Sequence, residues 1–226
     1  MNTQTVDLTL TNKLCANRYA AQFCDDDVGQ DPGSIDPIAG RTATAPVEAF
    51  TFWTRRSEPI VVRRVLPDDR EQISAMLRGL SARTLERRYL TPQPMTAARA
   101  EHEAQRMAQG QSQDHITLIG SAQGEHRPAI IAVAELVRDG QQSALGEVAI
   151  VVQDGLQGAG IGTVLLRCLA RMALAAGFLT LQAYMLPENR AMQEVVRKLG
   201  MPYTTAYQAG DLEMRVQLAP FGATAP

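Results

Sequence analysis

Residues 147–166 read E-V-A-I-V-V-Q-D-G-L-Q-G-A-G-I-G-T-V-L-L. A β-branched run meets a glycine-rich turn, and the turn opens a long apolar helix. Few folds accept that order, because the strand must end at the mouth of the helix and the helix must return along the sheet. Glycines at 158, 160 and 162 leave no side chain between the backbone and a ligand above the turn. The free N–H groups of the first helical turn can then converge on one spot, where the helix dipole favours an anion. Each glycine in a helix costs roughly 0.5–1 kcal/mol relative to alanine. Three alternate glycines are therefore expected to serve a ligand, and the ligand is expected to carry phosphate.

Two common phosphate-binding patterns do not fit. A nucleoside-triphosphate loop, G-x-x-x-x-G-K-[ST], needs a lysine after its glycines, and none follows here. The dinucleotide fingerprint is G-x-G-x-x-G, whereas Gly158, Gly160 and Gly162 give G-x-G-x-G. Around the loop, periodicity marks out one domain over 59–218. Strands are expected at 60–65, 114–120, 129–137, 143–152, 179–186, 203–206 and 212–218. Helical stretches are expected at 68–79, capped by Asp68 and Asp69, and at 81–90, 96–107, 161–176 and 189–199. The order β-α-α-β-β-β-α-β-α-β-β describes an α/β (α+β) domain: a mixed, mostly antiparallel central sheet flanked by helices, with one crossover around 161–176.

Residues 1–50 form an extension of different character. The stretch 24–41 is rich in Asp, Gly and Pro and has no periodicity, so it is expected to be disordered or loosely packed. A short strand is expected at 6–10, the aromatic Phe50–Trp53 is expected to pack on the body, and 219–226 is expected to be a flexible tail. The extension holds seven acidic and three basic side chains, against 17 and 19 in the remainder. The overall charge of −2 argues against nucleic-acid binding, which calls for a clear basic excess. No apolar run is long enough to span a membrane, and no basic residue precedes Lys13, so neither a membrane anchor nor an export signal is expected. Cys15, Cys24 and Cys168 are widely spaced and form no C-x-x-C pair, which fits a cytoplasmic setting. His102, His115 and His126 show no metal-ligand spacing, so no metal is expected. The arginines at 78, 83, 87 and 88 are expected to lie on a solvated helix face.

The loop Gln157-Gly158-Ala159-Gly160-Ile161-Gly162 resembles the [R/Q]-x-x-G-x-[G/A] motif of the GNAT N-acetyltransferases, and Thr163 continues the match. The segments Leu186-Pro187-Glu188-Asn189-Arg190-Ala191-Met192 and Lys198-Leu199-Gly200-Met201 resemble those of bacterial protein lysine acetyltransferases. Leu80-Ser81 with Thr84, Arg88-Tyr89-Leu90 and the strand Glu147-Val148-Ala149 point to the same branch. The resemblance covers about 60–218 and implies an acetyl-CoA-dependent transfer to an amine, foremost a protein lysine. It implies acetyl-CoA binding by Val151, Val152, Gln157, Gly158, Ala159, Gly160, Ile161, Gly162, Thr163 and Asn189. It also implies an oxyanion donor on the backbone of 150–152, and Glu147 as the base. Glu135 is the alternative carboxylate, with a structural role expected. The family's tyrosine acid has no counterpart, because Val196 stands at its place; Tyr184 and Tyr203 are substitutes without positional support. A small-molecule amine acceptor and a non-catalytic acyl-CoA sensor are the rival readings.

Overall fold

A computed structural model of the protein describes residues 49–109, 111–122, 128–140 and 143–219. Among these, eight strands form one sheet in the order β1-β2-β3-β4-β5-β6-β8-β7. They are β1 Phe50–Trp53, β2 Pro59–Arg64, β3 His115–Ala122, β4 Ala129–Arg138, β5 Leu145–Val152, β6 Thr180–Met185, β7 Tyr203–Gln208 and β8 Asp211–Gln217. Five α-helices flank the sheet: α1 Arg70–Arg78, α2 Ala82–Tyr89, α3 Ala97–Gln109, α4 Ile161–Ala175 and α5 Arg190–Arg197. Every neighbouring pair of strands is antiparallel except β5–β6, which α4 joins as a parallel crossover.

The sheet has a core on each face. On one, Ile161, Leu165 and Leu169 of α4 and Val196 of α5 pack on Ala134, Val148, Leu181 and Met214. On the other, Ile73 and Leu77 of α1, Leu85 of α2 and Met107 of α3 pack on Ile119, Val133 and Val151. Strand β4 lies between both layers, which explains its almost unbroken apolar run A-I-I-A-V-A-E-L-V. Helix α4 spaces Ile161, Leu165, Leu169 and Ala173 four apart, so one stripe faces the sheet.

The sheet begins at Phe50, ahead of the expected start at 59. Phe50 and Phe52 pack against the core while Trp53 stays 56% exposed, so the aromatic run is a strand that buries alternate residues. Three helices stand between β2 and β3, matching the stretches expected at 68–79, 81–90 and 96–107 and one more than the expected order β-α-α-β counts. Asp69 does not cap α1 with its side chain, because Pro67–Asp69 first makes a 3-10 turn. Its carboxylate instead accepts the Leu66 N–H at 2.7 Å and pairs with Arg63 at 2.7 Å, buried at the start of the helix. The strand expected at 6–10, and nearly all of the 1–50 extension and the terminal tail, lie outside the described residues.

Gly146, on β5, is a tight point. A Cβ added there would stand 2.4 Å from Leu136 Cδ1 and 2.8 Å from a Phe178 ring carbon. Gly146→Ala is expected to lower stability by about 1–3 kcal/mol through overpacking. Thermal unfolding checks this, with a fall in Tm of about 2–4 °C per kcal/mol for a chain of this size.

Candidate active site

Strands β5 and β6 pair over only three rungs: Leu145↔Thr180, Gly146↔Leu181 and Glu147↔Gln182. Strand β5 then continues to Val152 and β6 to Met185, so the two part and a cleft opens between them. The Leu145 carbonyl accepts from Asp139 N–H and the Gln153 N–H donates to the Ile131 carbonyl, so the odd-numbered residues of β5 turn their backbone to β4. By alternation, the backbone groups of Val148, Ile150 and Val152 face the opening. Gln157 Nε2 donates to the Val152 carbonyl at 3.0 Å from that side. The splay expected on 150–152 is therefore present as an open strand edge.

The glycine turn borders the same cleft. Gly158 and Gly160 have φ of 77° and 95°, in the left-handed region that favours glycine. Gly162 works differently: a Cβ there would lie 3.4 Å from Val195 Cγ2, so it lets α4 and α5 approach closely. Gly160 is the N-cap of α4, and no side chain caps the helix. Gly158, Gly160, Ile161, Gly162 and Thr163 line the cleft, joined by Val151, Val152, Gln157 and Asn189. Two residues on the expected list stand apart. Ala159 is 2% exposed and is turned into the core, though its carbonyl accepts the Arg55 N–H at 3.2 Å. Glu147 is exposed on the last paired rung, beside the cleft and not among its lining residues.

A hydrogen-bonded network holds the loop. Asp154 accepts from Ser81 N–H at 2.9 Å, Ser81 Oγ at 2.6 Å and Thr84 Oγ1 at 2.7 Å. Gln157 Nε2 also donates to Thr84 Oγ1 at 3.0 Å. Burial works against the Asp154 carboxylate, but the Ser81 and Thr84 donors outweigh it and hold its pKa below the usual range. Ser81 and Thr84 thus anchor α2 to the loop, which gives a physical role to a segment noticed only by resemblance.

Residues 60–202 match the family model of the GNAT acetyltransferase domain, well over half of the chain. The chain belongs to the GNAT acetyltransferase family. It is 31% identical to acetyltransferase Pat of Mycolicibacterium smegmatis over 172 residues, covering 75% of this chain and 50% of that protein. The chain thus spans about half the length of that curated relative. The GNAT domain of S. lividans PAT superposes with a TM-score of 0.65 at 24% identity, covering 75% of this chain and 97% of that one. A cAMP-binding acyltransferase from Mycobacterium smegmatis superposes with a TM-score of 0.52 at 25% identity, covering 80% and 51%.

The cleft of this GNAT domain is also lined by cations, none of which was expected at the site. Arg55 comes from the β1–β2 turn, Arg87 and Arg88 from α2, and Lys198 from the end of α5. The expectation of a purely solvated arginine face thus fails at 87 and 88, because Ser81 and Asp154 turn α2 toward the loop. No local signal marks Arg55, which reaches the loop across roughly a hundred residues of chain. Tyr184 lines the cleft as well, while Tyr203 is 42% exposed on the outer strand β7. Desolvation, then the charges of Glu213 and Glu147, raise the Tyr184 pKa and keep the phenol protonated.

Glu135 is 3% exposed and meets Arg88 at 2.5 Å, Arg106 at 2.8 Å and His115 at 3.1 Å. Burial pushes its pKa up, but the His115 hydrogen bond and the Arg88 and Arg106 charges prevail and bring it to about 2. That environment suits a structural anion better than a base. A folded pKa below the unfolded one gives stability that is complete above about pH 5 and lost as pH falls toward 2. Denaturant unfolding of the wild type is expected to weaken by a few kcal/mol across that window. Glu135→Gln is expected to cost about 3–5 kcal/mol at neutral pH, by leaving buried guanidinium unpaired, and to flatten the acid limb.

Proposed function

We propose that this chain transfers the acetyl group of acetyl-CoA to a primary amine, foremost the side chain of a protein lysine. The observation that carries this reading is one cleft with an uncapped, glycine-lined helix start at its mouth and an open strand edge along its wall. The first suits a diphosphate and the second an amide-bearing arm that can pair as a strand would. From Glu147 to Val152 is five residues of strand, about 17 Å at 3.3–3.4 Å per residue. A ligand that puts phosphate at the glycines and a reacting group beside Glu147 must bridge that span. Acetyl phosphate is too short, whereas coenzyme A separates its diphosphate from its sulfur by the pantetheine arm. Bound there, acetyl-CoA supplies a thioester, whose acetyl group passes to the amine nitrogen as the carbon–sulfur bond breaks and the free thiol leaves.

The chain's own residues then have definite tasks. Val151 and Val152 line the path of the arm, and the Ile150 amide, lying between the glycine cradle and Glu147, is the donor for the thioester oxygen. Gln157, Gly158, Gly160, Ile161, Gly162 and Thr163 hold the diphosphate, with Ala159 shaping the turn from beneath. Asn189 caps α5 through its Oδ1 and borders the arm. Glu147 takes a proton from the incoming ammonium, through a water, since a lysine with a pKa near 10.4 is almost wholly protonated at neutral pH. Tyr184, which lines the cleft, is assigned the proton for the leaving sulfur in this reading. The lysine reading draws support from the 186–192 and 198–201 segments and from the negative charge of Glu147, which suits a cationic acceptor.

Calorimetric titration with acetyl-CoA tests the cofactor. Saturable binding to the wild type, absent in Gly160→Asp, is expected; a folded wild type that binds none overturns the proposal. Glu147→Gln is expected to keep acetyl-CoA affinity within about threefold while acetylation of lysine-containing peptides falls by about 10²–10⁴. Unchanged turnover in that variant removes Glu147 from the mechanism.

A further inference from the structure

The phosphate loop has no cation of its own. Residues 153–163 read Q-D-G-L-Q-G-A-G-I-G-T, and their one charged side chain, Asp154, is acidic and committed to Ser81 and Thr84. The β1–β2 turn, which the sequence reading left outside the domain, lies against this loop. The Arg55 N–H donates to the Ala159 carbonyl at 3.2 Å, and Arg56 Nη1 donates to the Gly155 carbonyl at 2.8 Å. The turn is itself rigidly built. Thr54 is 4% exposed, and its Oγ1 accepts from Arg56 N–H at 3.2 Å and Glu58 N–H at 3.1 Å. The Thr54 N–H donates to the Glu58 carbonyl at 2.9 Å. The Arg55 side chain borders the cleft, and no described residue pairs with its guanidinium.

We propose that the β1–β2 turn is part of the cofactor site, with Arg55 binding a phosphate of coenzyme A. This deepens the acetyl-CoA reading and rests on it. The backbone bond to Ala159 sets the position of Arg55 relative to the very turn that carries Gly158 and Gly160, so its charge is delivered at the cradle. A guanidinium brings a planar fork of donors that matches two phosphate oxygens, which the loop amides alone do not provide. The turn thereby supplies from the start of the domain the charge that the glycine loop lacks. Helix α2 supplies Arg87 and the end of α5 supplies Lys198, so Arg55 is one of three cations and its removal weakens binding without abolishing it.

The test compares wild type, Arg55→Ala and Arg55→Lys by calorimetry with coenzyme A and with 3′-dephospho-coenzyme A, at low and high salt. For Arg55→Ala, the Kd for coenzyme A is expected to rise about tenfold and the salt dependence of binding to become shallower. Arg55→Lys, which keeps the charge but loses the planar fork, is expected to recover only part of the affinity. Loss on both ligands points to the diphosphate as the partner; loss on coenzyme A alone points to the 3′-phosphate. Because Arg55 is exposed, all three proteins are expected to share one melting temperature. Equal affinity of wild type and Arg55→Ala for both ligands overturns this inference alone. So does a loss with unchanged salt dependence. A wild type that binds neither ligand overturns the acetyl-CoA reading instead.

Discussion

Strands β5 and β6 hold together for three rungs and then separate, and the geometry of the site follows from that division. Each parting strand is drawn to its own anchor. Beyond Val152, β5 enters the loop that Asp154 ties to α2 and Ala159 ties to the β1–β2 turn. Beyond Met185, β6 runs to Asn189 and the start of α5. Helix α4 sets out from the mouth of the wedge, and Gly162 allows it to close on Val195. The division has a cost, because Val148, Ile150 and Val152 forgo the pairing a full sheet would give. Gln157 meets part of it at the Val152 carbonyl, and the rest is left for solvent or ligand.

A loop built from three glycines would be expected to wander. Here it is held by donors and acceptors that lie outside it. The α2 amide and hydroxyls satisfy Asp154 at the start of a helix, where the dipole favours a negative charge. From the β1–β2 turn, the Arg56 side chain and the Arg55 N–H hold the far side at the Gly155 and Ala159 carbonyls. A cradle ordered before binding loses less conformational freedom when the ligand arrives, so more of the interaction energy appears as affinity.

The strands, the crossover and the glycine cradle were legible because each rests on local chemistry: apolar runs of known period, and glycines where φ is positive. The family resemblance then led to Glu147 and Asn189, which spacing alone would not have singled out. What stayed hidden depends on contacts between distant segments. Phe50–Trp53 is too short and too close to an irregular stretch to read as a strand, and becomes one only by pairing with β2. Arg55 reaches the loop through a backbone hydrogen bond, to which its own side chain contributes nothing. The split of β5 from β6 has no sequence mark either, since 148–152 is as β-branched as a fully paired strand. Arg87 and Arg88 are neighbours in sequence, yet about 100° apart around the helix. Arg88 is drawn to Glu135 while Arg87 remains free at the cleft.

That division of the arginines bears on how a ligand is oriented. Arg55, Arg87 and Lys198 stand as cations along the cleft, while Glu147 puts negative charge where the two strands meet. Had Arg88 been free as well, its charge would lie only one β-strand pair from Glu147, because Glu135 is opposite Ala149 on the adjoining strand. Its burial against Glu135 neutralises that charge inside the fold. A molecule with phosphate at one end and a neutral thioester at the other is then drawn in with its phosphate toward the glycines. An ammonium approaching from the opposite direction meets Glu147 before it meets any unpaired cation. In the proposed reaction, Glu135 would serve without touching the substrate, by keeping Arg88 from weakening the field that would bring an amine to the site.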